Sequence, residues 1–333
     1  MKLIFHIGAG KTGSSSIQKR LRGAEAQLLE NGISYMGLMF DKGAPKLYPW
    51  QDSSQIEQFH ALSPEETQKK LLNLLQQTVK ELEPKNIHTL IWSNESFFGR
   101  MHKTIPALKE FEKSGHEIQI IAYIRRHDAW ARSAYVQWGL KHKTSRGKLQ
   151  PFSQWIKKRM PNFSKGVNEV LYEFPDSFLI RNVDAVKDAV ADFFSILGLE
   201  HCHIEQVREN ESPGNEELIM RALFNGKFHE QVLPKRFDHV VGKDLNFSLT
   251  PSEYLDSLLP SDQDIQEVVD ASKKDRDELN KLLAIQGQEF IKKTPLAEKS
   301  YQIDTERLTM ALCDIVLRQS LQIRRLEKSL EKK

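Results

Sequence analysis

Two rhythms of apolar and polar positions alternate along the first two thirds of the chain, and only one continues after that. Leu3-Ile4-Phe5-His6-Ile7 is a short apolar run, the pattern of a strand covered on both faces. It leads into Gly8-Ala9-Gly10-Lys11-Thr12-Gly13-Ser14-Ser15-Ser16. Ile17, Leu21, Ala24 and Leu28 then recur at helical spacing up to the stop signal Asn31-Gly32. Residues 33–60 show little periodicity and read as irregular cover near the loop, with Tyr48-Pro49-Trp50 among them. Ser63-Pro64-Glu65-Glu66 is a helix start: a serine cap, proline in the first turn and glutamate three residues after the cap. Leu71, Leu72, Leu75, Val79 and Leu82 give that helix its apolar face.

Further strands are expected at Thr89-Leu90-Ile91-Trp92, at Ile118–Ile124 and at Phe178-Leu179-Ile180, with a helix over 105–113 that stops at Gly115. A helix carrying Ala129, Ala131, Ser133, Tyr135 and Trp138 follows the second of these strands, and one through Val186, Val190, Phe193 and Leu197 follows the third, ending at Gly198. This alternation predicts an α/β fold, a parallel central sheet flanked by helices. From about Asn215 the pattern is helical only, with a capping box at Thr250-Pro251-Ser252-Glu253 and a cap at Ser261. The segment from Asp304 reads as one helix with Leu308, Leu312 and Ile315 on a stripe. Gln319 and Gln322 interrupt the stripe before it resumes at Ile323, Leu326 and Leu330. The reading is an α/β domain over 1–300 and a helical C-terminal extension over 301–333. That last helix is expected to dock or fray, with a short coiled coil and hence a homodimer as the alternative.

Composition narrows the classes. The chain has 333 residues, 39% apolar and 28% charged, as an ordinary globular protein does. A formal net charge of +3 is too small to point to nucleic acid. Cys202 and Cys313 alone imply neither a disulfide framework nor a cysteine-based zinc site. No run approaches the ~18 apolar residues of a membrane span, and the first apolar run is too short for a signal sequence, so the expectation is a cytoplasmic protein.

Strand, glycine loop and helix in succession form a phosphate cradle, because loop N–H groups and the helix dipole both favour an anion there. Gly8-Ala9-Gly10-Lys11-Thr12-Gly13 matches the dinucleotide pattern G-x-G-x-x-G, but no acidic residue stands at the end of 33–37 to hold a ribose. The nucleoside-triphosphate pattern G-x-x-x-x-G-K-[ST] fits Gly8 and Gly13, but Ser14 stands where the lysine belongs. The strand ending at Trp92 also lacks the acid that helps hold Mg²⁺. The cation sits inside the loop, at Lys11.

His6-Ile7-Gly8-Ala9-Gly10-Lys11-Thr12-Gly13-Ser14-Ser15-Ser16-Ile17-Gln18 resembles the phosphosulfate loop of the sulfotransferases that use 3′-phosphoadenosine 5′-phosphosulfate (PAPS), in their bacterial branch. Arg125 at a strand end and Ser133 on the next helix, with Tyr135 and Gln137 nearby, resemble that family's 3′-phosphate motif. Ser93-Asn94-Glu95 resembles its strand-end S-S-E, and Asn210-Glu211-Ser212 a late N-x-S element. The resemblance runs with gaps from Lys2 to about Asn225.

It implies a P-loop NTPase-like sulfotransferase fold and transfer of a sulfuryl group from PAPS to a hydroxyl or amine, leaving 3′-phosphoadenosine 5′-phosphate. Gly10, Lys11, Thr12, Gly13, Ser14, Ser15 and Ser16 would hold the 5′ end, with Lys11 meeting the departing oxygen. Arg125 and Ser133 would take the 3′-phosphate, where a planar guanidinium and a fixed hydroxyl suit a terminal phosphate. Glu95, at a strand's C-terminal end, is the expected base for the acceptor, with His60 in reserve. The acceptor class the resemblance suggests is carbohydrate, a glycan or glycolipid, with lipid-linked and small-molecule acceptors as the alternatives. The basic stretch Lys141, Lys143, Arg146, Lys148, Lys157, Lys158 and Arg159 would either steer an anionic acceptor or form a solvated face. A P-loop kinase and a non-catalytic nucleotide- or glycan-binding protein are the alternatives.

Overall fold

A computed structural model describes residues 1–186, 188–199, 215–239, 251–295 and 303–330. The strands are β1 (Lys2–His6), β2 (Ile33–Tyr35), β3 (Thr89–Ser93), β4 (Glu117–Ile124) and β5 (Phe178–Asn182). The helices run α1 (Ser14–Gly23), α2 (Glu25–Glu30), α3 (Ile56–His60), α4 (Pro64–Leu82), α5 (Ile105–Lys113), α6 (His127–Tyr135), α7 (Phe152–Ile156), α8 (Phe163–Glu173) and α9 (Ala189–Ile196). Six more follow: α10 (Asn215–Gly226), α11 (Pro234–His239), α12 (Pro251–Leu258), α13 (Asp262–Ala271), α14 (Lys273–Ile285) and α15 (Thr305–Leu330). They group into two units. The first comprises 1–130, 161–210 and 271–293, and the second 131–160, 211–270 and 294–333.

The first unit holds the sheet, ordered β2-β3-β1-β4-β5 and parallel throughout. Successive side chains of a strand point to opposite faces, and the core divides accordingly. Leu3, Phe5, Leu90, Trp92, Ile118, Ile120 and Ile124 share one apolar layer with residues of α4, α5, α8 and α14. Ile4, Ile91, Ile121 and Tyr123 share the other with Ile17 and Leu21 of α1, Leu28 of α2 and Phe193 of α9. Both faces are covered, which is why the strands read as continuous apolar runs. Trp50 and Trp92 are buried core residues; Trp92 stacks on Phe5 at 3.9 Å.

Strand order creates the crevice. The chain leaves β1 toward β2 on one side of the sheet and leaves β4 toward β5 on the other, so the loops after these neighbours diverge. Ligands of open α/β sheets bind at such a switch point, at the strands' carboxyl ends.

Three local expectations are corrected. The stretch 33–60 contains a strand, β2, and a short helix, α3, ahead of the expected Ser63–Glu66 capping box of α4. The first helical run is broken at Ala24 into α1 and α2. The helix after β5 begins at Ala189, because Asp188 accepts from the N–H groups of Val190 and Ala191, and Val186 lies before it. The N-x-S element 210–212 lies outside the described residues.

In the second unit α6 continues into a π-helical segment, Val136–Lys141. Gly139 sits under the Tyr135 ring, where a Cβ would lie 2.5 Å from a ring carbon. Asn225 of α10 donates to the carbonyls of Leu140 and Lys141, which lie in that widened turn. Lys143 is not a solvated steering residue: it is fully buried, and its ammonium donates to the carbonyls of Phe228 and, at 3.1 Å, Glu230. Burial lowers its pKa.

Candidate phosphate-loop site

The loop between β1 and α1 departs from ordinary backbone. Gly10, Lys11 and Gly13 have φ of 65°, 56° and 93°, all left-handed. For Lys11, which has a Cβ, that conformation costs about 1–2 kcal/mol, and such cost concentrates at functional sites. The surrounding structure fixes it. The Ile7 and Ala9 N–H groups donate to the carbonyls of Ile121 and Tyr123 in β4 at 2.9 and 3.0 Å. The Trp130 indole N–H donates to the Ala9 carbonyl at 3.4 Å, and the Arg125 guanidinium donates to the Lys11 carbonyl at 3.3 Å.

What the loop leaves open is the N–H side. Among the described residues, the N–H groups of Gly10, Thr12, Gly13, Ser14 and Ser15 donate to no backbone carbonyl outside the helix. Successive N–H groups in a turn of this kind make a concave nest of donors. Helix α1 begins at this nest with Gly13 as its cap, no capping side chain and no acid in its first turn. Its partial positive charge is therefore uncompensated, the arrangement that suits a bound anion.

Side chains beneath the loop close it from below. Thr12 and Ser14 are buried, and neither hydroxyl has a hydrogen-bond partner; the same holds for Nε2 of His6. All three converge on Gly8. A Cβ there would lie 2.6 Å from Ser14 Oγ, 2.8 Å from Thr12 Oγ1 and 3.2 Å from His6 Nε2. Thr12 and Ser14 thus turn their hydroxyls inward and offer only main-chain N–H groups outward, while Ser15 is exposed and Ser16 half-buried. His6 pairs through Nδ1 with Ser93 Oγ at 2.8 Å, and burial lowers its pKa to about 3.

Arg125, at the end of β4, keeps 31% of its side chain exposed and faces Asp184 at 3.5 Å. Asp184 also accepts from the Arg126 N–H at 2.7 Å, which fixes the turn. Arg125 and the Lys11 loop are therefore in direct contact. Ser133 is half-buried on α6 and belongs to the second unit. Tyr135 is core there: its hydroxyl donates to the Gln150 carbonyl, and its ring packs on Phe152 and Trp155.

Glu95 opens a single 3₁₀ turn after β3 and is half-buried. Asn94 builds that turn, accepting from the Ser96 N–H and hydroxyl and donating to the Leu38 carbonyl. The link to the loop is Gln18, buried on α1, whose amide donates to Glu95 at 2.6 Å and to the Ser93 carbonyl at 3.4 Å. His60 ends α3 against Phe59 and Phe97. Burial first, then Arg100 and Lys103, lower its pKa, and Lys103 donates to its carbonyl.

Gly8, Gln18, Trp130 and Asp184 were not picked out as site residues from the sequence. Gln18 stands one turn after Ser14, a spacing that puts both on one helix face, and it closes the stretch that resembles the phosphosulfate loop. No protein-family model and no curated protein matches this chain.

Proposed function

We propose that the protein is a PAPS-dependent sulfotransferase on a P-loop-like α/β fold, acting on a hydroxyl or amine acceptor of carbohydrate type. The observation that carries this reading is the contact of the Arg125 guanidinium with the carbonyl of left-handed Lys11. It brings the strand-end arginine to a loop that faces outward with N–H groups. The cradle suits a tetrahedral anion, and Gly8 leaves room for no further atom below it. Arg125 supplies a guanidinium that a 3′-phosphate fits and that ATP has no group to engage.

The donor supplies the sulfuryl group and a leaving 5′-phosphate. The chain's part is to hold and neutralise. Main-chain N–H groups of Thr12, Gly13 and Ser14, with the Ser15 and Ser16 hydroxyls, fix the 5′ oxygens, and Lys11 places a positive charge where negative charge grows. Glu95, held by Gln18, accepts the acceptor's proton, with His60 as the second candidate.

Thermal stabilisation tests the donor. At 100 times its dissociation constant a ligand adds about 2.7 kcal/mol, so 3′-phosphoadenosine 5′-phosphate is expected to raise the melting temperature by several degrees and ATP with Mg²⁺ by little. The opposite preference would make the protein a kinase, and no shift with either would overturn nucleotide binding. Lys11→Ala and Glu95→Gln are expected to abolish transfer of labelled sulfate, the second without loss of nucleotide binding.

A further inference from the structure

Asp184, just past the end of β5, is held in place by the backbone around it. Its N–H donates to Oδ1 of the buried Asn182 at 3.1 Å, and its Oδ2 accepts from the Arg126 N–H at 2.7 Å. Asn182 in turn donates to the Glu289 carbonyl at 3.0 Å. These bonds aim the other carboxylate oxygen, Oδ1, at Nε of Arg125, 3.5 Å away. That Nε is buried and makes no hydrogen bond. The one hydrogen bond of the guanidinium among the described residues runs from Nη1 to the Lys11 carbonyl. Arg125 therefore takes its direction from the loop, and what Asp184 brings to it is charge at one edge.

We infer that Asp184 is a fixed counter-ion that competes with the 3′-phosphate for Arg125 and so limits how tightly the product nucleotide is held; this rests on the sulfotransferase reading. The 3′-phosphate is the same group in the donor and in the departing 3′-phosphoadenosine 5′-phosphate, and it lies apart from the bond that breaks. A contact with it strengthens donor, transition state and product alike. Such uniform binding leaves the chemical step unchanged and slows release of the product.

A guanidinium without a counter-ion would hold a phosphate of nearly two charges very firmly. The Asp184 carboxylate offsets part of that attraction. It cannot swing away when the ligand arrives, because Asn182 and the Arg126 N–H hold it. The Arg125 and Asp184 side chains are 31% and 28% exposed, so water screens the repulsion without removing it. For charges a few ångströms apart in such surroundings, an effect of about tenfold on the dissociation constant is the expected scale.

Calorimetry on the full chain at 0.15 M salt, with 3′-phosphoadenosine 5′-phosphate and with adenosine 5′-phosphate, tests this. The wild type is expected to prefer the first ligand at least tenfold. Asp184→Asn keeps an oxygen for the Arg126 N–H and removes the charge. It is expected to tighten 3′-phosphoadenosine 5′-phosphate about tenfold, mainly through slower dissociation in stopped flow, and to change adenosine 5′-phosphate less than threefold. The gain is expected to shrink as salt is raised to 1 M, where the screening length falls to ~3 Å. Asp184→Ala removes the same charge without adding an amide, and the ratio of the two affinities is expected to rise in it as well. Unchanged or weaker binding of the 3′-phosphorylated ligand in both variants, in a protein that still prefers that ligand, would overturn the counter-ion and leave Asp184 as a brace for the Arg126 turn. Equal gains for both ligands would also overturn it, by placing the effect away from the 3′-phosphate. A wild type with no preference between the ligands would overturn the sulfotransferase reading itself, and the counter-ion with it.

Discussion

The two ends of the sheet in the first unit make opposite use of their backbone. At the amino ends of β1, β4 and β5 lies a hollow of about 550 Å³, bordered by Lys2, Glu112, His116, Glu117 and Asp176. Here the backbone extends the ladder: the Lys2 N–H donates to the His88 carbonyl and the Glu117 N–H to that of Met1. Charges of both signs share its rim, and the His116 ring stacks on Phe111 at 4.2 Å. At the carboxyl ends the loop after β1 takes three left-handed residues, leaves N–H groups outward and buries two hydroxyls without partners. Empty volume follows from where strands happen to end. Unspent backbone donors and a strained lysine have a standing cost that folding alone does not explain.

Gly8→Ala breaks the comparison most sharply. The new methyl would meet Ser14 Oγ at 2.6 Å and Thr12 Oγ1 at 2.8 Å, both in a loop already fixed to β4. Overpacking of this kind costs about 1–3 kcal/mol, and the loop is expected to open. Binding of 3′-phosphoadenosine 5′-phosphate should weaken at least 100-fold by calorimetry while the chain remains folded by circular dichroism. Arg125→Ala comes next. Losing a charge-assisted bond worth about 1.5–3 kcal/mol should weaken that ligand about 10- to 100-fold. Adenosine 5′-phosphate, which lacks the 3′ group, should lose no more than a few-fold through the freed Lys11 carbonyl. Equal losses for both ligands would reduce Arg125 to a brace for the loop.

How much of this was legible follows from what each residue must satisfy. β1, β3, β4 and β5 announce themselves because both faces are covered, so their apolar runs are nearly continuous, broken by Gln119 in β4 and by Arg181 in β5. β2 spans only Ile33–Tyr35, between glycines at 32 and 37, and three residues are too few to show a period. The loop was legible as a cradle from its glycines, yet the residue that closes its floor, Gly8, is told apart from Gly10 and Gly13 only by the side chains packed against it. Gln18 looks like any polar helix residue until β3 places Glu95 within reach of its amide. Lys143 shows the reverse error. Charge counting assigns it to solvent, but two carbonyls 85 and 87 residues away hold its ammonium inside. Local pattern carries the elements; partners distant in sequence decide the site.

Acid should weigh on both ends, because burial lowers the pKa of His116 at the hollow as it does that of His6 beneath the loop. His6 is buried beneath the loop with its pKa lowered to about 3, against about 6.5 in an unfolded chain. Between these values the unfolded chain binds a proton that the folded one does not, so this contribution is complete above pH 6.5 and is lost as pH falls toward 3. The slope from one such group is at most about 1.4 kcal/mol per pH unit. His6→Asn, which retains a polar group toward Ser93, is expected to flatten the fall of unfolding free energy between pH 6 and 4. Parallel curves for the two proteins would show that the imidazole is not what acid attacks.

The smallest effect is expected at the other end. Glu117→Gln and Asp176→Asn remove one charge each from the rim of the amino-end hollow without touching β4's carboxyl end, where Arg125 and the Lys11 carbonyl meet. Strand β4 spans eight residues, so its two ends lie about 25 Å apart at ~3.3 Å per residue. That is beyond the ~8 Å screening length at physiological salt, and coupling between exposed charges at the two ends is largely extinguished. The dissociation constant for 3′-phosphoadenosine 5′-phosphate should change less than twofold in either variant at 0.15 M salt. A larger change that disappears as salt is raised would mean that the sheet carries a long-range field to the loop. A larger change insensitive to salt would place a ligand contact in the hollow, and the outward N–H groups of the loop would no longer locate the site.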